Sequence, residues 1–163
     1  MDKKPKILII YRSRYGTTSK VSEYLASRLN NAELTLLSSG KEKLPDLSSF
    51  DKIIIGGSIR AGMIQGEIKK IVSKNLDTLL SKELGLYLCC MEEDERRQKQ
   101  FDDSFPEPVR RHAKASGLFG GEFNFDRLNF LEKKIIRKVS GFNDTVSKID
   151  YEAIDKFAED ISK

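Results

Sequence analysis

Histidine and cysteine are nearly absent from this chain. His112 is the one histidine among 163 residues, which excludes catalysis or metal binding by a histidine cluster. It lies in the charged run Arg110-Arg111-His112-Ala113-Lys114, which reads as an exposed helix face, and it receives no role. The two cysteines, Cys89 and Cys90, are adjacent. That spacing fits neither a metal site nor a disulfide framework, and it suits a reducing compartment. One is expected to point into the core and the other towards the following loop. No apolar run approaches the roughly 20 residues of a membrane span. Residues 1–5 lead straight into a strand-like run without a leader pattern, so the expected location is the cytoplasm. Neither sign of charge dominates: 29 basic against 25 acidic residues give a net +4, too mild for a nucleic-acid footprint.

What is present is an alternation of short apolar runs and helix-period segments. Residues 7–11, 34–37, 53–55, 84–90 and 118–123 read as strands, the third ended by Gly56-Gly57. Residues 17–29, 64–80, 92–115, 128–142 and 151–161 read as helices, with Pro106 and Pro108 interrupting the third. Strands alternating with helices predict an α/β fold with a parallel sheet covered on both faces. Five strands in one domain of this length suit a doubly wound sheet of order 2-1-3-4-5. In that topology ligands sit outside the C-terminal strand ends, which directs attention to residues 11–18, 56–66 and 89–94.

The first of these loops, Ser13-Arg14-Tyr15-Gly16-Thr17-Thr18, joins a buried strand to a helix N-terminus. Hydroxyls, free N–H groups and a glycine in that setting make a phosphate cradle; the plainer alternative is that Ser13 and Thr17 merely cap the helix. Neither G-x-x-x-x-G-K-[ST] nor G-x-G-x-x-G is present, which argues against a nucleoside triphosphate and a dinucleotide. A phospho-accepting regulator would place carboxylates after strand 1 and an Asp at the end of strand 3, where Arg12 and Gly56 stand. A cysteine phosphatase would need a Cys in this loop.

The motif S-x-x-G-x-T resembles the phosphate loop of flavodoxins, which bind flavin mononucleotide (FMN). The second loop, Gly56-Gly57-Ser58-Ile59-Arg60-Ala61-Gly62, is similar to the G-x-S-I-R-x-G loop of the menaquinone-dependent protoporphyrinogen IX dehydrogenases, flavodoxin-like enzymes of haem biosynthesis. Phe119-Gly120-Gly121-Glu122, the apolar and basic stretch 125–141, Thr145, Tyr151 and Phe157-Ala158 follow in that family's order. The resemblance implies a flavodoxin-like domain over 1–163 with a helical extension around 124–147. It implies that Ser13, Arg14, Tyr15, Gly16, Thr17 and Thr18 hold the flavin phosphate. Ser58, Ile59, Arg60, Ala61, Gly62, Cys90 and Met91 would line the ring, Ala61 replacing a commonly aromatic residue. Tyr11 and Tyr15 are further candidates to touch the flavin. Arg60 would stabilise the anionic reduced flavin; its plainer alternative is a surface pair with a carboxylate of 92–95.

The implied activity is an FMN-dependent oxidation of a porphyrinogen-like donor with electrons passed to a quinone. The acidic run Glu92-Glu93-Asp94-Glu95 favours the alternative, an electron carrier that docks a basic protein partner and has no substrate of its own. Leu128, Leu131, Ile135, Val139 and Phe142 form one helical stripe, with Arg127, Lys133, Lys134, Arg137 and Lys138 beside it. The stripe is expected to pack on the sheet; the alternative is peripheral contact of residues 127–142 with an anionic membrane.

Overall fold

Each central strand is apolar on both faces because helices cover both sides of the sheet. The computed structural model describes residues 3–37, 41–142 and 144–163. Among them, parallel strands run in the order β2-β1-β3-β5-β6, with β1 Ile7–Arg12, β2 Ala32–Leu37, β3 Lys52–Arg60, β5 Glu83–Cys89 and β6 Ala115–Leu118. This is the expected 2-1-3-4-5 order, once β4 (Met63–Ile64) is recognised as a short strand pairing antiparallel with the end of β3.

Alternate residues feed two cores. Leu8, Ile10, Ile53, Ile55, Leu86 and Leu88 pack with Ile68, Ile71 and Val72 of α2 (Gly66–Lys74), Leu79 of α3 (Leu76–Leu80), Phe101 of α4 (Asp94–Ser104) and Val109 of α5 (Glu107–His112). Ile7, Ile9, Ile54 and Tyr87 pack on the other face with Val21 and Leu25 of α1 (Thr17–Ser27) and with Ile154, Phe157 and Ile161 of α7 (Tyr151–Ser162). The two cysteines divide between these cores, and both are buried. The expectation that one faces the loop is therefore not met. Among the described residues no helix is long and apolar enough to cross a membrane.

Three boundaries depart from the sequence pattern. Strand β3 continues through Gly56 and Gly57 instead of ending there, because Tyr87 and Ile64 fill the space that side chains would occupy. The segment 64–80 divides at Asn75 into α2 and α3. The fifth parallel strand is Ala115–Leu118, earlier than 118–123: after it the chain leaves the sheet, and Glu122–Phe123 (β7) pairs with Val146–Ser147 (β8) in a separate ribbon.

Between β7 and β8 lies α6, Phe130–Ser140, opened by a capping box in which Asn129 Oδ1 accepts from the Glu132 N–H at 2.8 Å. None of its residues is buried. Phe130, Leu131, Ile135 and Val139 are 80%, 64%, 52% and 81% exposed. Leu131, Ile135 and Val139 of the stripe thus face outward instead of packing on the sheet, while Leu128, ahead of the helix, is buried and Phe142, beyond it, is half-buried. The extension expected at 124–147 includes Asn143, which lies outside the described residues.

Candidate functional site

Three loops converge where the parallel strands end. The first is organised by Ser13. Its Oγ accepts from the N–H of Gly16 (3.1 Å) and of Ser19 (3.2 Å), so this hydroxyl caps the helix. Gly16 takes φ 93°, a left-handed conformation that places it at the N-cap of α1. The helical ladder opens with Lys20 N–H donating to the Gly16 carbonyl at 3.0 Å, leaving the N–H groups of Thr17 and Thr18 in the unpaired first turn. No acidic residue occupies that turn, so the positive end of the helix dipole is uncompensated by carboxylates. Thr17 is half-buried; Thr18 is buried and directs its hydroxyl inward to Cys89. Thr18 thus offers the loop its backbone, and its side chain ties the loop to β5.

The arginines of this loop differ in their commitments. Arg12 donates from Nη1 to the Ser13 carbonyl (2.8 Å) and pairs with Glu67 of α2 at 3.6 Å. Arg14 is exposed and lies over the Tyr15 ring, 5.4 Å from its centroid. A third arginine arrives from far along the chain: Arg127 Nη1 donates to the Tyr15 carbonyl at 3.2 Å. Tyr11 is buried in the core, while Tyr15 stays half-buried in the loop.

The second loop is a tight hairpin. Ile59 pairs with Ile64 and Arg60 with Met63, leaving a two-residue turn of Ala61 (φ 50°) and Gly62 (φ 78°), both left-handed. Gln65 clamps its base: its Oε1 accepts from the Ser58 N–H at 2.9 Å and its Nε2 donates to Ser58 Oγ at 2.6 Å. Ser58 and Ile59 are half-buried, and Arg60, Ala61, Gly62 and Met63 stand exposed. Arg60 has no ion pair among the described residues, so the expected alternative pairing with the 92–95 carboxylates is not formed.

The third loop begins at Cys90, whose N–H donates to the Gly120 carbonyl at 2.9 Å. Burial raises the Cys90 thiol to about 11 and the Cys89 thiol to about 12, so both are protonated at neutral pH. Met91 is half-buried above Gly121. Of the acidic run, Glu92 pairs with Arg96 (3.4 Å) and Glu93 with Lys148 (2.8 Å), whose hydrogen bond holds the Glu93 carboxyl below its ordinary value. Asp94 and Glu95 occupy the first turn of α4, where they complement the helix dipole. Asp94 has φ 56°; it and Ala61 are two of the three non-glycine residues with positive φ among those described, and both flank this end of the sheet.

The fold therefore assembles the first two candidate loops and Met91 on one edge of the sheet, while Cys90 belongs to the core beneath. His112 stays apart on α5, its Nε2 2.6 Å from the Lys82 carbonyl. Sequence reading missed Gln65 and the approach of Arg127 to the loop. The first was detectable, because a two-residue turn at 61–62 brings residue 65 back beside residue 58. The second had no local signal.

The profile of the flavodoxin domain family matches residues 8–148. The protoporphyrinogen IX dehydrogenase [quinone] of Escherichia coli K12 is 25% identical over 171 aligned positions, covering 96% of this chain and 94% of that protein. Among solved structures, oxidised flavodoxin 1 of Bacillus cereus superposes with a TM-score of 0.54 at 15% identity, covering 96% of each chain. A Lactobacillus acidophilus flavoprotein solved in complex with FMN gives 0.52 at 19% identity, covering 72% of this chain and 91% of that one.

Proposed function

Because the chain belongs to the flavodoxin domain family, we propose that it is a redox flavoprotein whose cofactor is FMN, held at the C-terminal edge of the sheet. The donor set fits a phosphate monoester: the first-turn N–H groups of Thr17 and Thr18, the Thr17 hydroxyl, and a glycine at which the backbone can be approached closely. Ser13 contributes by holding this loop in shape. Ile59, Arg60, Ala61, Gly62 and Met91 offer peptide and side-chain surface to the ring, and the Gln65 clamp keeps the hairpin from moving away. When bound, the flavin supplies the electron-transfer chemistry. The chain's own residues bind and orient it, and Arg60 adds a positive charge that favours the more negative reduced form.

Within that class, the reading supported best is an oxidoreductase similar to the protoporphyrinogen IX dehydrogenases, taking hydrogen from a porphyrinogen-like donor and passing electrons to a quinone. The observation that carries it is the similarity to the Escherichia coli enzyme over nearly the full length of both chains. A second reading, an electron carrier docking a basic protein, is favoured by Asp94 and Glu95, which are exposed and free of ion pairs among the described residues. Purified protein reconstituted with FMN and given protoporphyrinogen and a quinone anaerobically tests both. Porphyrin formation supports the first reading; bound flavin that is reducible but yields no porphyrin supports the second. Failure to bind FMN removes both.

The outward stripe of α6 supports peripheral contact of residues 127–142 with an anionic membrane, where a quinone acceptor would reside. Lys133, Lys134, Arg137 and Lys138 have no ion pairs among the described residues, and their charge complements anionic headgroups. Co-sedimentation with anionic vesicles, lost in high salt and absent with neutral vesicles, is the expected result. No binding to either kind sinks the idea.

A further inference from the structure

We propose that Arg127 is a ligand of the flavin phosphate, supplied to the phosphate loop by the segment between β7 and α6; this rests on FMN being held at that loop. The guanidinium donates to the Tyr15 carbonyl at 3.2 Å across 112 residues of sequence. It also lies against Gly16 so closely that a Cβ there would overlap its Nη1. Arg127 thus sits directly on the residue that opens α1.

That placement is electrostatically odd in the protein alone. The N-terminus of a helix carries partial positive charge, and a cation beside it is unfavourable. The run from Ser13 to Ser19 contains no carboxylate, and Arg127 has no ion pair among the described residues. One carbonyl oxygen is a small return for bringing a guanidinium there, and most of its five N–H donors remain available. An anion lying between the first-turn N–H groups and Arg127 resolves the conflict, because both then face negative charge. The other two arginines do not serve equally well. Arg12 is held by Glu67 and the Ser13 carbonyl, and Arg14 lies exposed over Tyr15.

Arg127 is also positioned in advance. It ends a 3-10 turn, Phe125–Arg127, whose first residue is buried. Asn124 Oδ1 accepts from the Asp126 N–H at 3.2 Å, and Thr145 Oγ1 accepts from the Phe125 N–H at 3.1 Å. Arg137 lies over the Phe125 ring, 5.6 Å from its centroid. Glu122, just upstream, pairs with Lys20 of α1 at 3.3 Å, a second tie between this segment and the phosphate helix. The backbone that carries the exposed Arg127 side chain is thus fixed before binding, so only side-chain freedom is lost when the ligand arrives.

The test compares FMN with riboflavin, which has the same ring and no phosphate. Apoprotein is titrated with each, following flavin fluorescence. Wild type is expected to prefer FMN. Arg127→Ala is expected to weaken FMN by about ten- to a hundredfold and leave riboflavin unchanged. Arg127→Lys should fall between, since it restores charge without the fork. Lys74→Ala, which removes a like charge from the exposed last turn of α2, should behave as wild type. Inorganic phosphate should raise the melting temperature of wild-type apoprotein and not that of Arg127→Ala. Equal loss of FMN and riboflavin, or an FMN affinity in Arg127→Ala matching that of Lys74→Ala, overturns the assignment. Wild type alone tests the reading beneath it: if it binds no FMN, that reading falls and this one with it, whereas tight FMN binding by both wild type and Arg127→Ala overturns only the role of Arg127.

Discussion

Lys52 and Glu83 face each other across neighbouring strands, the buried ammonium 2.8 Å from the carboxylate. The same Nζ donates to the Ile161 carbonyl at 2.6 Å, so one lysine joins β3, β5 and the end of α7. Glu83 accepts in turn from Lys114 at 3.0 Å. Hydrogen bonds from Lys52 first, and then from Lys114, hold the Glu83 carboxyl below its ordinary value of 4.5. A carboxylate whose folded pKa is depressed adds stability that is fully present above the unfolded value and is lost as pH falls through the folded one. Glu83→Gln should therefore destabilise the protein at pH 7. The carboxylate is nearly half exposed, which limits the loss to about 1 kcal/mol. In urea titrations the gap from wild type should narrow as pH falls below about 4.5 and close once the folded Glu83 carboxyl is itself protonated. A gap that stays constant with pH would show that the charge pair contributes nothing.

Gly56 and Tyr87 make a tighter contact. The ring lies where a Cβ of residue 56 would be, and it cannot retreat. Its hydroxyl shares a hydrogen bond with Ser22, it stacks on Phe119 with centroids 5.0 Å apart, and Phe157 meets its edge. Gly56→Ala should cost about 3 kcal/mol, at the upper end for overpacking. Pairing it with Tyr87→Leu should recover part of that loss, because the smaller side chain makes room. Additive losses in denaturant unfolding would contradict the steric account.

The two thiols, raised to about 12 and about 11 by burial, should be inert in the folded protein. At pH 8, a thiol-specific reagent should titrate neither within the time in which it modifies both after unfolding in guanidinium. Fast reaction of one cysteine in the native protein would show that the loop above Cys90 opens.

Strands β1 and β5 and helix α1 could be read from the sequence because their apolar patterns are continuous and local. The end of β3 could not, since Gly56 and Gly57 read as breakers until Tyr87 and Ile64 are seen filling their missing side chains. β6 is Ala-Ser-Gly-Leu, which has no strand pattern of its own. Its pairing with residues 85–88 and the Phe119 ring over Gly117 place it. For α6 the stripe was correctly read and its surroundings were not, because periodicity reveals an apolar face without saying what covers it. At the site, the loops at 13–18 and 58–62 were visible as contiguous motifs. Arg127 was not, because its approach depends on tertiary structure 112 residues away from Tyr15.

Ala61 bears a cost that can be measured. It occupies the first position of the two-residue turn with φ 50°, where a Cβ is disfavoured by about 1–2 kcal/mol. Ala61→Gly removes that strain, while glycine's greater freedom in the unfolded chain offsets about half of it. A net gain of about 0.5–1 kcal/mol in urea unfolding is expected. No gain would mean that the turn relaxes in solution.

Arg60 stands beside that turn, exposed and without an ion pair among the described residues, so its charge is available to a ligand at the hairpin. If FMN binds as proposed, a guanidinium at the ring stabilises the reduced form more than the oxidised one, because reduction adds negative charge. Its removal should lower the two-electron midpoint potential. Solvent screening of an exposed group limits the interaction to about 1 kcal/mol, equivalent to about 20 mV for a two-electron couple. Arg60→Ala should shift the midpoint down by that order in an anaerobic dye-coupled titration, and Arg60→Lys should retain most of the wild-type value. Raising the salt concentration should shrink the difference between wild type and Arg60→Ala. A midpoint that is unchanged or raised in Arg60→Ala would assign Arg60 to the solvated surface and leave the tuning of the flavin to the backbone of the hairpin.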